Sequence, residues 1–588
     1  MTLKSAAAIA AIALLTTVLT LHRLGAGDVC TGNEAVEGVF VQQMVERGHL
    51  LFPVENGIVP MYKPPLFHWT AAAIDRLFDV RKVTAANLRL PSALYAIAGA
   101  ILTMLFAFET LGIDAAVLAG LALAGSYQYV SQGRFGRVDM TLCFFESLAL
   151  FAFLWWMPRE ATSSGPAARR ESNLPALYLI AIAMGLGVLT KGPVGAILPG
   201  VSILIFMIAE HRGRQILTML DPGAIILGAA IASSWYLACY FGGRFALLNR
   251  QLETENAGRF FGSLGAMAPW YYLKPVLLNS APLSLIVPVA AVCALLTPLL
   301  TRRRSDSTSP PGRGRDGLRG AGEGDHSRTP SDSDRARDAV RLFAIFYFAT
   351  VIFFSIAAYK RRSYLLPVWP ASAVMLAWWI ITVPPLAWRR AATWAFGALC
   401  AGLVVFNFVY IPRMEVRSCR EDSFRPAAEE IARVVAPADP LYVYGFQEEI
   451  APLLFYLDRD APVLQGRLGD APPGFIIVPA DVWKTHQSDA LDLEPVLTSD
   501  HGNRRLVLLK RGKSYASRQQ TGEPGVGFAG SAAPCYALFS AGSGAARDAE
   551  CSTHRLFSST NASSTNAFIS ATSGITRGSA TIPKYRLR

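Results

Sequence analysis

The chain has 588 residues, 52% of them hydrophobic and only 17% charged, with a mean hydropathy of +0.33 and a formal net charge of +12. A soluble globular protein carries about 25% charge. The apolar residues here run in blocks of about 18 to 25, the length that crosses about 30 Å of hydrocarbon. These features exclude a disordered chain, a disulfide-stapled secreted module and a nucleic-acid-binding domain, and they predict a polytopic membrane protein.

The first block, Ala6 to Leu21 after Lys4, lacks an Ala-x-Ala-like end before the next polar stretch and reads as an uncleaved first helix. Further blocks lie near 88–108, 113–131, 139–157, 174–190, 192–209, 221–241, 276–300, 342–359, 364–383 and 391–411, which gives about eleven spans. With Lys4 inside, the loops carrying Arg159/Arg169/Arg170, Arg212/Arg214, Arg302/Arg303/Arg304 and Arg389/Arg390 also fall inside, as the positive-inside rule requires. The outer face receives 22–87, 132–138, the turn at Lys191, 242–275, 360–363 and everything after 412. One place breaks the rule: Lys360-Arg361-Arg362 puts three cations on the outer side.

The outer loops hold most of the chemistry-bearing residues. Residues 33–47 have Val36, Phe40, Val41, Met44 and Val45 at helical spacing, with Asn33 as N-cap and Glu34 and Glu37 near the amino end. This reads as an interfacial helix holding an acid at the membrane surface, or as acids placed simply to suit the helix dipole. In MYKPPLFHW, 61–69, Pro64-Pro65 denies Lys63 a helical conformation and fixes an extended approach to the next helix. A lysine so held suits an anionic ligand, though lysines also snorkel to an interface. Arg137 and Asp139 sit at the mouth of the fourth span, and Lys191-Gly192-Pro193 breaks the apolar run from 174 to 209. The fourth outer loop offers Glu253, Glu255, Arg259 and Phe260, and Lys360, Arg361 and Arg362 precede the tenth block. Glu34, Asp139 and Glu253 with Lys63, Arg137, Lys191, Arg259 and Lys360–Arg362 therefore share one face. Together they suggest a site for a phosphorylated lipid head-group, with a carboxylate available as base.

Residues 301–340, rich in Arg, Gly, Ser, Pro and Asp, read as a disordered cytoplasmic loop, and 512–588 as a disordered tail. Between the last span and that tail, residues 413–511 form a small outer α/β domain. Its strands are expected at 441–444, 475–478 and 506–509, and its short helices near 425–435 and 447–457. Of the eight cysteines, Cys143, Cys239, Cys293 and Cys400 fall in apolar blocks. Cys30 and Cys419 could face one compartment, and pairing and two free thiols are equally open. His22 and His68 are isolated and read as core or interface histidines. No cluster with metal-ligand spacing is present, so no cofactor is identified.

Asn33-Glu34, the KPPLFHW motif at 63–69, Arg137-x-Asp139, Lys191-Gly192-Pro193, Glu253 with Arg259-Phe260, and Lys360 with Leu366-Pro367 occur in one order and at fixed loop positions. On these motifs the chain, from about 28 to about 412, resembles the GT-C membrane glycosyltransferases of the protein O-mannosyltransferase and aminoarabinose (lipid A) transferase type. The resemblance implies an all-α GT-C bundle of about 11 to 13 transmembrane helices, with interfacial helices in the first outer loop and often a small outer C-terminal domain. It implies a multi-pass protein of the cytoplasmic membrane with its site on the periplasmic face. There it would carry out an inverting transfer of a hexose or pentose from a polyprenyl-phosphate donor lipid to lipid A, a glycan or a protein. Lys63, Arg137, Lys191, Glu253, Arg259, Lys360, Arg361 and Arg362 would bind substrate and donor phosphate, and Asp139 would be the second acid. The family's usual Asp-Glu reads Asn33-Glu34 here, and its Arg-Tyr reads Val36-Glu37, which moves the expected base to Glu34. Some GT-C enzymes use a divalent ion, so metal dependence is open. A transporter or flippase of lipid-linked sugars is the competing reading. It would show internal repeats and charges near the midplane, and the sequence shows neither.

Overall fold

The computed structural model describes residues 1–56, 59–157, 173–262, 265–306, 330–446 and 450–511. These lie in one compact unit, Met1–Thr521. Each apolar block carries a helix, the form that satisfies every backbone group without water. Among the described residues seven helices are long and apolar enough to cross a membrane: Leu3–Leu21, Ala85–Leu111, Val138–Trp156, Leu174–Lys191, Pro222–Phe241, Asp334–Ile356 and Leu386–Arg420. Two bent pairs qualify as further spans, Ile113–Gly125 with Tyr127–Gly133 at 68° and Pro269–Leu278 with Leu283–Leu296 at 108°. Val194–Ala209 and Val368–Thr382 are apolar but shorter. The chain is a multi-pass membrane protein.

Two expectations change. The helix Pro330–Ile356 begins well inside the stretch read as a disordered loop, and Leu283–Asp306 runs into its other end. Asp338, Ala339 and Val340 are buried, and Asp338 pairs with Arg212 at 2.7 Å, which gives this polar segment a partner that composition does not reveal. The helix Leu386–Arg420 continues through Pro412, so the boundary drawn at 413 falls inside a helix. Residues 307–329, the tail 512–588 and the loop with Arg159, Arg169 and Arg170 lie outside the described residues.

The loop between the first two spans is built on the helices Gly32–Val45 and Leu66–Leu77. Thr31, not Asn33, caps the first, its hydroxyl accepting from the Glu34 amide at 3.4 Å. This helix is buried from Glu34 to Met44, on both its apolar and its polar side. The reason is tertiary: it packs on Leu66–Leu77 and Ala85–Leu111, while the helix Ala451–Leu457 of the C-terminal domain covers it. Gln42 donates to the Phe455 carbonyl at 2.9 Å, and a side chain at Gly38 would meet the Phe455 ring at 2.7 Å. Cys30 and Cys419 form a disulfide, tying this loop to the end of Leu386–Arg420.

The C-terminal domain has a four-stranded sheet in the spatial order Leu441–Val443, Gly474–Pro479, Arg504–Arg511, Leu493–His501, the first pair parallel and the others antiparallel. Side chains alternate across it. Phe475, Ile477, Leu506 and Leu508 pack with Ile431 and Leu453 of the two helices on one face, and Ile476, Val478, Val507 and Leu509 pack with Leu468 and Trp483 on the other.

Candidate active site

Segments that join the helices converge on one cavity of about 270 Å³. Lys63 reaches it from the first loop, Arg137 from the mouth of Val138–Trp156, Lys191 from the end of Leu174–Lys191, Arg259 from the segment after Pro222–Phe241 and Arg361 from the turn before Val368–Thr382. Phe260, Phe353, Phe354, Tyr359 and Tyr364 supply apolar wall. Segments far apart in sequence thus deliver five cations to one place.

Local geometry explains how each is held. The run from 174 to 209 breaks at Gly192, whose φ of +86° suits glycine. A side chain there would also meet Asn256 and Gln251 at 3.0 and 3.1 Å, so the small residue lets the segment 250–258 close on Lys191. Residues 259–260 and 358–359 are joined by backbone bonds, Ala358 donating to Phe260 and Tyr359 to Arg259, each at 2.9 Å. That junction brings the Tyr359 ring to both the Arg259 and the Arg361 guanidinium, 5.2 and 5.3 Å from its centroid. Arg259 also donates to the Tyr364 hydroxyl at 3.1 Å, and Lys191 lies 4.5 Å over the Tyr364 ring. Arg361 reaches across to Asn33, donating at 2.7 Å to its side-chain oxygen.

Three carboxylates balance part of this charge. Asp139 pairs with Arg137 at 3.0 Å and with Lys191. Glu255 pairs with Arg259. Glu37 pairs with Lys63 through one oxygen and meets His68 Nε2 at 2.7 Å through the other. Burial alone would push Glu37 up, but the Lys63 charge and the His68 hydrogen bond outweigh it and hold the carboxyl at about 2. Burial pulls Lys63 down from the usual lysine value; Glu37 opposes this, while the Arg137 and Arg259 charges add to it. Five cations against three carboxylates leave the cavity net positive, a setting for phosphate.

Four of the residues expected at the site are elsewhere. Glu34 is 1% exposed and holds Arg89 through both oxygens, at 2.7 and 3.0 Å, while also accepting from the Gly136 amide at 2.9 Å. Arg89 in turn donates to the carbonyls of Leu24, Gly27 and Asp28. Glu34 is therefore part of the scaffold that fixes the first loop. Glu253 is exposed, and its neighbour Glu255 faces the cavity instead. Lys360 is buried on the carbonyls of Met267 and Ala357. Arg362 points to solvent, its carbonyl accepting from Gln128. Of the three consecutive cations, then, only Arg361 lines the cavity. The residues that sequence reasoning passed over are Glu37 and His68 as a pair, Tyr359, Tyr364 and Arg89. Among the described residues no three His, Cys, Asp or Glu side chains come together as a metal site.

Comparison with known proteins agrees with this architecture. The family model for dolichyl-phosphate-mannose-protein mannosyltransferase matches residues 62–238. An uncharacterized protein of Aquifex aeolicus is 26% identical over 279 residues, 47% of this chain and 52% of its own length. An undecaprenyl phosphate-alpha-4-amino-4-deoxy-L-arabinose arabinosyl transferase of Pseudomonas savastanoi pv. phaseolicola is 25% identical over 248 residues, 40% of this chain and 42% of its own. The matched part thus spans about half the length of these relatives. The crystal structure of ArnT from Cupriavidus metallidurans bound to undecaprenyl phosphate superposes with a TM-score of 0.65 at 18% identity, covering 87% of this chain and 98% of that one. The GT-C fold implied by the motifs is the fold of this chain, and the resemblance to GT-C membrane glycosyltransferases is borne out.

Proposed function

We propose that this multi-pass protein of the GT-C glycosyltransferase type transfers a sugar from a polyprenyl-phosphate donor to an envelope acceptor at the outer face of the cytoplasmic membrane. The observation that carries this reading is the net-positive cavity of Lys63, Arg137, Lys191, Arg259 and Arg361 at the mouth of a helical bundle. A polyprenyl-phosphate donor presents a phosphate at that level while its tail stays in lipid, and the similar ArnT structure has undecaprenyl phosphate bound.

In an inverting displacement the acceptor attacks the anomeric carbon as its bond to the phosphate oxygen breaks. Negative charge grows on the leaving phosphate, and cations fixed around it before reaction stabilise that charge where water is scarce. Lys63, Arg137, Lys191, Arg259 and Arg361 take that role. Asp139 orients Arg137 and Lys191, while Glu37 only neutralises Lys63 from behind the cavity wall until a phosphate arrives. Each cavity carboxylate is committed to a cation, and Glu37, held near 2, is a weak proton acceptor at neutral pH. An acceptor that arrives already ionised, such as a lipid A phosphate, suits this cavity better than a protein hydroxyl. The Cys30–Cys419 disulfide supports the outer placement, because such bonds persist in oxidising compartments.

The test is reconstitution of the chain in nanodiscs with undecaprenyl-phosphate-linked pentose or hexose and with lipid A or a peptide. Mass spectrometry is expected to show a glycosylated acceptor and released undecaprenyl phosphate, with both lost in Lys63→Ala. Movement of intact lipid-linked sugar across a liposome membrane, with no transfer to any acceptor, would establish the flippase reading instead.

A further inference from the structure

Glu37 lies wholly behind the cavity wall, whereas Lys63 lines the cavity and keeps 13% of its side chain exposed. An incoming phosphate therefore meets Lys63 but cannot meet Glu37. It must draw the ammonium from a carboxylate that already holds it. A buried carboxylate stripped of its only partner is heavily penalised, so this exchange works only if Glu37 keeps a second partner.

His68 is that partner. It sits in the first turn of Leu66–Leu77, fully buried, with Nε2 2.7 Å from the Glu37 oxygen that Lys63 does not use. A carboxylate only accepts, so the hydrogen resides on Nε2 and is donated to Glu37. The other nitrogen, Nδ1, is buried without a partner. Phe40 and Phe67 meet the imidazole edge-on, with centroids 5.9 and 5.4 Å away, and fix its plane. The prolines between Lys63 and the helix set the two donors on opposite oxygens of one acid.

We propose that His68 is a positioning residue for the donor phosphate: by keeping Glu37 hydrogen-bonded, it lets Lys63 leave the carboxylate and turn to the phosphate. The inference rests on the phosphate-binding role of the cavity proposed above. The same Lys63–Glu37 pair without His68 would hold its lysine back.

The experiment measures undecaprenyl phosphate binding to the full chain in nanodiscs, with the elution profile and thermal midpoint of each variant recorded alongside. His68→Phe keeps the ring volume and removes the donor; it is expected to weaken binding about ten- to a hundredfold, the value of one hydrogen bond to a charged group. His68→Gln, which restores an N–H near the same place, is expected within about threefold of the original. Glu37→Gln with His68→Phe is expected to recover binding as well, because no buried charge then competes for Lys63. Glu37→Gln alone is expected to bind at least as tightly as the unaltered chain, and this arm stands even if His68→Phe does not fold. Unaltered binding in His68→Phe, no recovery in the double variant, or weakened binding in Glu37→Gln would each overturn the proposal. Lys63→Ala separates the two levels of argument. Lost binding there together with unaltered His68→Phe removes only the role of His68, whereas unaltered Lys63→Ala removes the phosphate clamp itself.

Discussion

Glu34 is where sequence and geometry assign different work, and Glu34→Gln separates them. In the fold Glu34 neutralises a nearly fully buried Arg89 through two short hydrogen bonds and also accepts from the Gly136 amide. Breaking a buried pair by removing one charge costs about 3–5 kcal/mol. The amide oxygen of glutamine still accepts one bond, and the carbonyls of Leu24, Gly27 and Asp28 still hold Arg89, so the low end, about 3 kcal/mol, is expected. That is a change of about a hundredfold in the folding equilibrium. The assay pairs thermal unfolding in detergent with the transfer rate per folded molecule, the folded fraction taken from size-exclusion chromatography. The expected result is a clear loss of thermal stability with the rate per folded molecule kept within about threefold, since a general base would contribute about 10²–10⁴. Unaltered stability with a rate down by about a hundredfold or more would refute the structural assignment and restore Glu34 as the base.

Three further outcomes follow from the same geometry. Glu37 is held at about 2 against an ordinary 4.5, so its contribution to stability is fully present above 4.5 and is lost as pH falls toward 2. The stability gap between the unaltered chain and Glu37→Gln, about 3 kcal/mol at neutral pH, is expected to narrow progressively as thermal unfolding is measured from pH 5 down to pH 3. Gly192→Ala forces a side chain onto a positive-φ, extended backbone conformation open essentially to glycine and against Asn256 and Gln251, and is expected to cost about 1–3 kcal/mol; unaltered unfolding would show that the loop does not close there. Cys30→Ser removes the link to Cys419 and is expected to lower stability by about 2–4 kcal/mol, an effect that a reducing agent reproduces in the unaltered chain and not in the variant.

Much of the architecture was legible because it follows from local pattern. Blocks of apolar residues became helices, the Gly-Pro after Lys191 ended one of them, and runs such as Phe475–Val478 became strands. The strand Leu493–His501 escaped notice because it is a sheet-edge strand whose exposed positions include Pro495 and Val496 beside Glu494, Thr498 and Asp500, so it shows no apolar alternation. The burial of Gly32–Val45 was beyond local reading for a different reason: its cover, Ala451–Leu457, lies more than four hundred residues along the chain. At the site, the rule that outer loops are poor in cations singled out Lys360-Arg361-Arg362, while the proline pair Pro64-Pro65 marked Lys63. The rule could not say which of three consecutive cations faces inward, because that depends on the turn the backbone takes at Tyr359. Arg89 carried a signal that was passed over. It is an arginine at the mouth of an apolar span, and such a charge needs a carboxylate partner.

The arrangement of acids follows from what a phosphate-binding cavity must do before its ligand arrives. Five cations brought together without counter-charge would repel one another in a medium where that repulsion is poorly screened. Carboxylates placed behind them relieve this, yet a carboxylate that binds too well competes with the phosphate. The competition is softened where an acid has two partners. Asp139 holds both Arg137 and Lys191, and Glu37 holds both Lys63 and His68. Either acid can surrender one cation to an incoming phosphate and still be paired. Among the described residues Glu255 has only Arg259 as its ion-pair partner, but it lines the cavity, where water can solvate it, and Arg259 is itself steadied by Tyr364. The depth of each acid thus matches the number of partners it keeps: the two that are sealed from solvent have two, and the one at the wall has one.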